Sequence, residues 1–131
     1  MNEIHRTEHM TVRFDAGRMT LAWTREEPDD AHAVETARGV KTALDGWLAE
    51  HPTEKIAVLV DLVVVKRNFP RAVAAYTAWL LGHRARITVG AFATKSFLLR
   101  AGLTAAVLVP GLTMKGFGDV RDAEKFLAAH S

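Results

Sequence analysis

The chain has 131 residues, 49% of them apolar, and a formal net charge of +2. That is one domain's worth of sequence with enough apolar surface to bury a core. It contains no cysteine, which excludes disulfide scaffolds, thiolate catalysis and cysteine-ligated zinc and fits a reducing, cytoplasmic setting.

The first fifteen residues carry Glu3, His5, Arg6, Glu8, His9 and Arg13 and lack the apolar stretch of a signal peptide. Residues 1–9 read as a frayed tail, and 10–131 as a single domain. Met10 to Phe14 and Met19 to Thr24 alternate apolar and polar residues around Asp15-Ala16-Gly17-Arg18, which predicts an antiparallel hairpin with one half-buried face. Pro28-Asp29-Asp30 then starts a helix with acidic residues at its positive end. Val34, Ala37, Val40, Leu44, Trp47 and Leu48 give it an apolar stripe as far as His51-Pro52.

Ile56 to Val65 is a near-continuous apolar run and predicts a strand buried on both faces, with Asp61 inside it. Asn68 is a cap candidate and Pro70 a first-turn proline for the next helix, which carries Val73, Tyr76, Trp79 and Leu80 and stops at Gly82. Arg86 to Ala93 is a further strand. A helix begins at Ser96, but periodicity does not separate helix from strand over Leu103 to Val109. Met114 to Phe117 reads as a short edge strand and Arg121 to Ala129 as a closing helix with Ala123, Phe126 and Leu127 inward. The expected fold class is α/β: a mixed sheet of about five strands covered by about four helices. The longest uncharged run, Ala101 to Met114, is broken by Gly102 and Pro110-Gly111 and is shorter than the roughly 20 apolar residues that span a bilayer.

These residues carry a resemblance. The hairpin, the long first helix, the strands Ile56-Ala57-Val58-Leu59-Val60-Asp61-Leu62 and Arg86-Ile87-Thr88-Val89-Gly90-Ala91-Phe92, and the ending Met114 to Leu127 with Phe117-Gly118-Asp119 resemble STAS-like proteins, relatives of the bacterial anti-sigma factor antagonists. The resemblance covers about residues 10–130. It implies a bacterial regulatory or adaptor module that is not an enzyme, takes no cofactor and binds a protein partner, with a homodimer as one form to expect. Antagonists of that group carry a phosphorylatable serine at the start of the helix after the central strand. Here the segment is Val63-Val64-Val65-Lys66-Arg67-Asn68-Phe69-Pro70, with no hydroxyl. A phosphate there would add about −1.5 to −2 charges where a partner docks, so this switch is absent. Partner binding is expected at Lys66, Arg67, Asn68, Phe69 and Arg71, with Phe69 as apolar anchor and the cations at the rim.

The charge distribution suggests an alternative. Residues 1–65 carry seven Lys/Arg against twelve Asp/Glu, whereas residues 66–131 carry ten against three. Two basic turns follow strands, and ligands in open α/β sheets sit outside the strands' carboxyl ends. Lys66, Thr94, Lys95 and Ser96, with free N–H groups at a helix start, are therefore candidates for holding a small anion or nucleotide. The Leu98 to Leu112 segment is a candidate lining for a lipid pocket. Asp61 is read as a turn cap before a catalytic acid. His83, Arg84 and Arg86 are read as polar connection residues. His5 and His9 have a helical metal-pair spacing but no third ligand nearby in sequence, so no metal is expected. The basic residues are dispersed, without the aromatic interleaving of an RNA-binding sheet, which disfavours nucleic acid as a partner. Ser96 lacks the G-x-S-x-G setting of a hydrolase nucleophile.

Overall fold

The computed structural model describes residues 2–106 and 111–130. Its strands are β1 (Asn2–Arg6), β2 (Met10–Asp15), β3 (Arg18–Trp23), β4 (Ile56–Asp61), β5 (Ile87–Ala93) and β6 (Met114–Phe117), and they lie side by side in chain order in one sheet. The helices are α1 (Asp30–Glu50), α2 (Pro70–Gly82), α3 (Phe97–Ala106) and α4 (Val120–His130).

The hairpin forms as expected. β2 and β3 pair antiparallel from Met10↔Trp23 to Asp15↔Arg18, and the two-residue loop places Ala16 at φ 51° and Gly17 at φ 79°. Two consecutive left-handed residues give the turn whose twist matches that of paired strands. From β3 onward every pairing is parallel, through β4 and β5 to β6, and each parallel step needs a helical crossover.

The sheet has six strands, not the expected five or so. The addition is β1, in the segment read as a frayed tail, where Asn2 pairs with Phe14 and Arg6 with Thr11. Its sequence, Asn-Glu-Ile-His-Arg, has one apolar residue. Backbone pairing holds it in place, so no hydrophobic alternation betrayed it, and its charged side chains suit an edge. The apolar run after Ile56 is shorter as a strand than expected: β4 ends at Asp61, whose Oδ1 accepts from Val63 N at 3.1 Å and turns the chain out of the sheet. Asn68 does not cap α2. The cap position is Phe69, without a side-chain hydrogen bond, because Pro70 fixes the first turn one residue later than an Asn68 cap requires. Leu103 to Ala106 is helical, as part of α3; residues 107–110 of the ambiguous stretch lie outside the described residues.

The two faces of the sheet are covered differently. Met10, Val12, Met19, Leu21, Val58 and Phe92 pack with Val40 and Leu44 of α1, Trp79 and Leu80 of α2, and Leu99 and Leu103 of α3. Ala57, Leu59, Val89, Ala91 and Ala93 meet Ala123 and Leu127 of α4 on the other face. Small strand residues let that single helix sit close to the sheet. Gly116 is required by close approach on β6: an added Cβ would lie 2.6 Å from Phe92 Cζ. Among the described residues, no helix is long and apolar enough to cross a membrane.

Candidate ligand-binding cavity

Because β3 to β6 run parallel, the loops that follow β3, β4 and β5 all emerge at one edge of the sheet. His9, which precedes antiparallel β2, reaches the same edge, since Met10 pairs with Trp23. The carboxyl edge therefore gathers His9, the Thr24–Asp29 loop, the Lys66–Phe69 loop and the Thr94–Ser96 turn. This is where open α/β sheets place ligands.

Local bonds fix these loops. The His9 carbonyl accepts from Thr24 N at 2.9 Å and Arg25 N at 3.3 Å, which ties the β3–α1 loop to the start of β2. Asp29 caps α1, its Oδ1 accepting from His32 N at 2.7 Å, a capping arrangement worth about 1 kcal/mol. His32 is thereby set in the first turn, against Glu27. Glu26 Oε1 accepts from Lys66 N and from Arg67 N, the latter at 3.2 Å. Arg67 Nη1 donates to the Pro28 carbonyl at 3.1 Å, and Arg71 pairs with Asp30 at 3.0 Å. The acidic β3–α1 loop thus holds the basic β4–α2 loop, and part of the charge asymmetry between the two halves of the chain is spent within the fold.

Between the sheet and α1, α2 and α3 lies a cavity of about 120 Å³. Its walls include Leu21, Leu44, Val58, Val73, Leu99 and Leu103, and its polar border is Glu27, Arg67, Asn68, Tyr76 and Thr77. Arg67 and Asn68 are exposed, so the cavity approaches solvent at the carboxyl edge. A dry engineered cavity of roughly 150 Å³ takes up benzene, which sets the scale of what this one holds.

Tyr76 is the unusual member of the lining. Its ring meets Trp23 edge-to-face, centroids 5.8 Å apart, and packs with Ala33, Phe69 and Ala72. Its hydroxyl is withdrawn from solvent and has no hydrogen-bond partner among the described residues. Burial, reinforced by the negative charge of Glu27, pushes the phenol's pKa well above its usual value. Leaving a buried hydroxyl unpaired costs about 1–3 kcal/mol.

The residues expected to bind a partner are therefore split. Lys66, Arg67, Asn68 and Arg71 are exposed, whereas Phe69 is only 8% exposed and turned inward, with Arg67 over its ring at 4.9 Å. In the basic rim, Lys66 and Lys95 are exposed. Thr94 is fully buried, its Oγ1 accepting from Ser96 N at 3.3 Å, and Ser96 Oγ accepts from Leu99 N at 3.1 Å. Those two hydroxyls build the start of α3. His83 pairs with Asp45 at 3.1 Å, and Arg86 donates to the Glu54 and His51 carbonyls, at the opposite edge. His5 and His9 are not brought together as a pair. His5 packs on Gly39 of α1, whereas His9 faces Glu27 and His32.

A crystal structure of an uncharacterised DUF3478 protein from Shewanella loihica PV-4, described as having a SpoIIAA-like fold, superposes with a TM-score of 0.63 over 94% of this chain and 98% of that one. The fold is STAS-like. At 19% identity the likeness extends to the fold alone. No family model and no curated protein matches the sequence.

Within this STAS-like fold, the residues of the polar border that sequence reasoning passed over as site residues are Glu27, Tyr76 and Thr77. Tyr76 was legible only as one member of an apolar helix stripe. Glu27 lay in an acidic stretch that reads as a solvated loop, yet it is 4% exposed. Burial of that carboxylate depends on β3 and α1 meeting at the edge, which no local pattern announces.

Proposed function

We propose that the protein is a non-enzymatic binding module whose ligand is a small, mainly apolar molecule, a single ring or short alkyl chain, carrying one hydrogen-bonding head group. The apolar part occupies the cavity and the head group accepts from the Tyr76 hydroxyl near the carboxyl edge. The observation that supports this reading is the combination of that buried, unpartnered hydroxyl with walls that are otherwise nearly all hydrocarbon. Such sites, apolar with a few placed polar groups, are what small-molecule pockets look like. The reading keeps the ligand-binding alternative and moves it from the Lys66 and Lys95 rim to the interior, reached partly through Leu99 and Leu103 of the Leu98 to Leu112 segment.

The test uses straight-chain alcohols and acids of increasing length, read by the fluorescence of Trp23 and Trp79, which line the cavity. Each buried methylene contributes about 0.8 kcal/mol, roughly fourfold in affinity. Affinity should climb at that rate and level off once the cavity is full. A response that is absent, or flat across the series, overturns the reading.

A second reading is supported by one further observation. Phe97 and Leu98 at the start of α3 are 71% and 81% exposed, two adjacent large apolar side chains facing solvent. Together with exposed Lys66 and Asn68 on the β4–α2 loop and Pro70 at the start of α2 they suit a constitutive protein partner. Retention of a partner by the wild type and its loss with Phe97→Ser and Leu98→Ser would favour that reading.

A further inference from the structure

We propose that His9, Glu27 and His32 form a binding site for one divalent transition-metal ion, zinc being the best match, beside the cavity at the carboxyl edge. One candidate ligand atom from each residue lies within 4.8 Å of the others. His32 Nδ1 is 2.8 Å and His9 Nδ1 3.5 Å from Glu27 Oε1. Ligand atoms around a tetrahedral zinc at the usual bond lengths of about 2.0–2.1 Å are roughly 3.3 Å apart, and the two separations bracket that value. Two imidazoles and a carboxylate with no thiolate favour zinc or a neighbouring late divalent ion over calcium or magnesium, which prefer all-oxygen shells.

Two observations beyond clustering point to an ion. His9 is 6% exposed, and its Nδ1, 3.5 Å from Glu27 Oε1, is buried without a hydrogen bond among the described residues. Glu27 itself is buried, and among the described residues its ion pairs are with His9 and His32 and not with a lysine or arginine. Its partners are His32, His9 and the Trp23 indole, whose Nε1 donates to Oε2 at 3.3 Å. A carboxylate taken out of water calls for a compensating cation, and an ion on Oε1 supplies it while giving His9 Nδ1 its missing partner. Trp23 on the other carboxylate oxygen does what outer partners do in metal sites, orienting the ligand. The side chain of His32 is 44% exposed, which leaves a route from solvent and room for a water ligand. With three protein ligands the ion keeps an open position, and Glu27 is also part of the cavity lining. The site depends on these three residues and not on whether the cavity takes a ligand.

The experiment is titration of chelator-treated, dialysed protein with Zn2+ by calorimetry, repeated with Co2+ and read by its visible absorption. The expected result is one ion per chain, with the intense cobalt bands of a low-coordinate nitrogen and oxygen shell. Binding should weaken more than about tenfold in His32→Ala and in Glu27→Gln, and be unchanged in His130→Ala, which alters an exposed histidine on α4. Circular dichroism of the metal-free variants separates loss of the site from loss of the fold. Should Glu27→Gln fail to fold, the partly exposed His32→Ala still decides. No stoichiometric uptake by the wild type, or uptake that His32→Ala leaves intact, overturns the proposal and reduces the cluster to an imidazole–carboxylate hydrogen bond.

Discussion

Replacing Tyr76 with phenylalanine should move stability and ligand affinity in opposite directions. The substitution keeps the ring that meets Trp23 at 5.8 Å and packs on Phe69, Ala33 and Ala72. It deletes a hydroxyl that is buried and, among the described residues, unpartnered. An unpaired buried polar group costs about 1–3 kcal/mol, and part of that returns when the group is removed. The ligand-free variant should therefore be as stable as the wild type or more so, by up to about 1 kcal/mol. In a domain of this length that corresponds to a melting temperature raised by roughly 3–5 °C. The bound state loses the one hydrogen bond made by this phenol, about 0.5–1.5 kcal/mol, so affinity for a chain with a polar head should fall up to about tenfold. Urea unfolding of both proteins, with and without a short-chain alcohol at saturation, measures both effects. A ligand-free variant more than about 1 kcal/mol less stable than the wild type would refute the reasoning, because the hydroxyl would then have a partner in solution.

Three other outcomes follow from the packing and charges. Gly116→Ala places a Cβ 2.6 Å from Phe92 Cζ and 3.1 Å from Arg100 Cγ; overpacking of this kind costs about 1–3 kcal/mol, and a urea midpoint equal to that of the wild type would contradict it. Glu26→Ala removes the acceptor shared by the Lys66 and Arg67 amides. Those two amides should then exchange faster with deuterium while the β4 and β5 amides stay protected, and uniform exchange would show that the loop is held by other contacts. Tyr76 is displaced upward by burial first and by Glu27 second. A group with a raised folded pKa contributes its stability below the unfolded value, about 10 for tyrosine, and loses it as pH climbs through the folded value. Ultraviolet titration should accordingly show no phenolate at pH 10–11 while the chain stays folded, and reversible ionisation near pH 10 in the native state would be the contrary result.

Much of the architecture was legible in local pattern. Asp29 and Pro28 announced α1, and its Asp29 Oδ1 to His32 N bond is the physical form of that signal. Ala16-Gly17 announced the hairpin, through the left-handed backbone that the turn needs. β1 was not legible, because an edge strand held by main-chain pairing needs no apolar alternation. The cavity was illegible for a different reason. Its walls come from β3, β4, β5, β6, α1, α2 and α3, and each apolar wall residue taken alone looks like core. Phe69 shows the same limit in reverse. An aromatic beside three polar residues reads as an exposed anchor, and only the placement of Ala33 and Ala72 across from it turns the ring inward. His9, Glu27 and His32 are separated by 18 and 5 positions, and they meet only because β2 begins and β3 ends at the same edge.

The most direct measurement is a titration of the isotope-labelled protein with a short-chain alcohol, followed by nuclear magnetic resonance of its methyl and aromatic groups. If the cavity is the binding site, the saturable shifts centre on Leu44, Val58, Tyr76, Leu99 and Leu103, with contacts from the ligand's alkyl protons to the Tyr76 ring. Shifts confined to Phe97 and Leu98 on the outer surface, or none at saturating ligand, would contradict it.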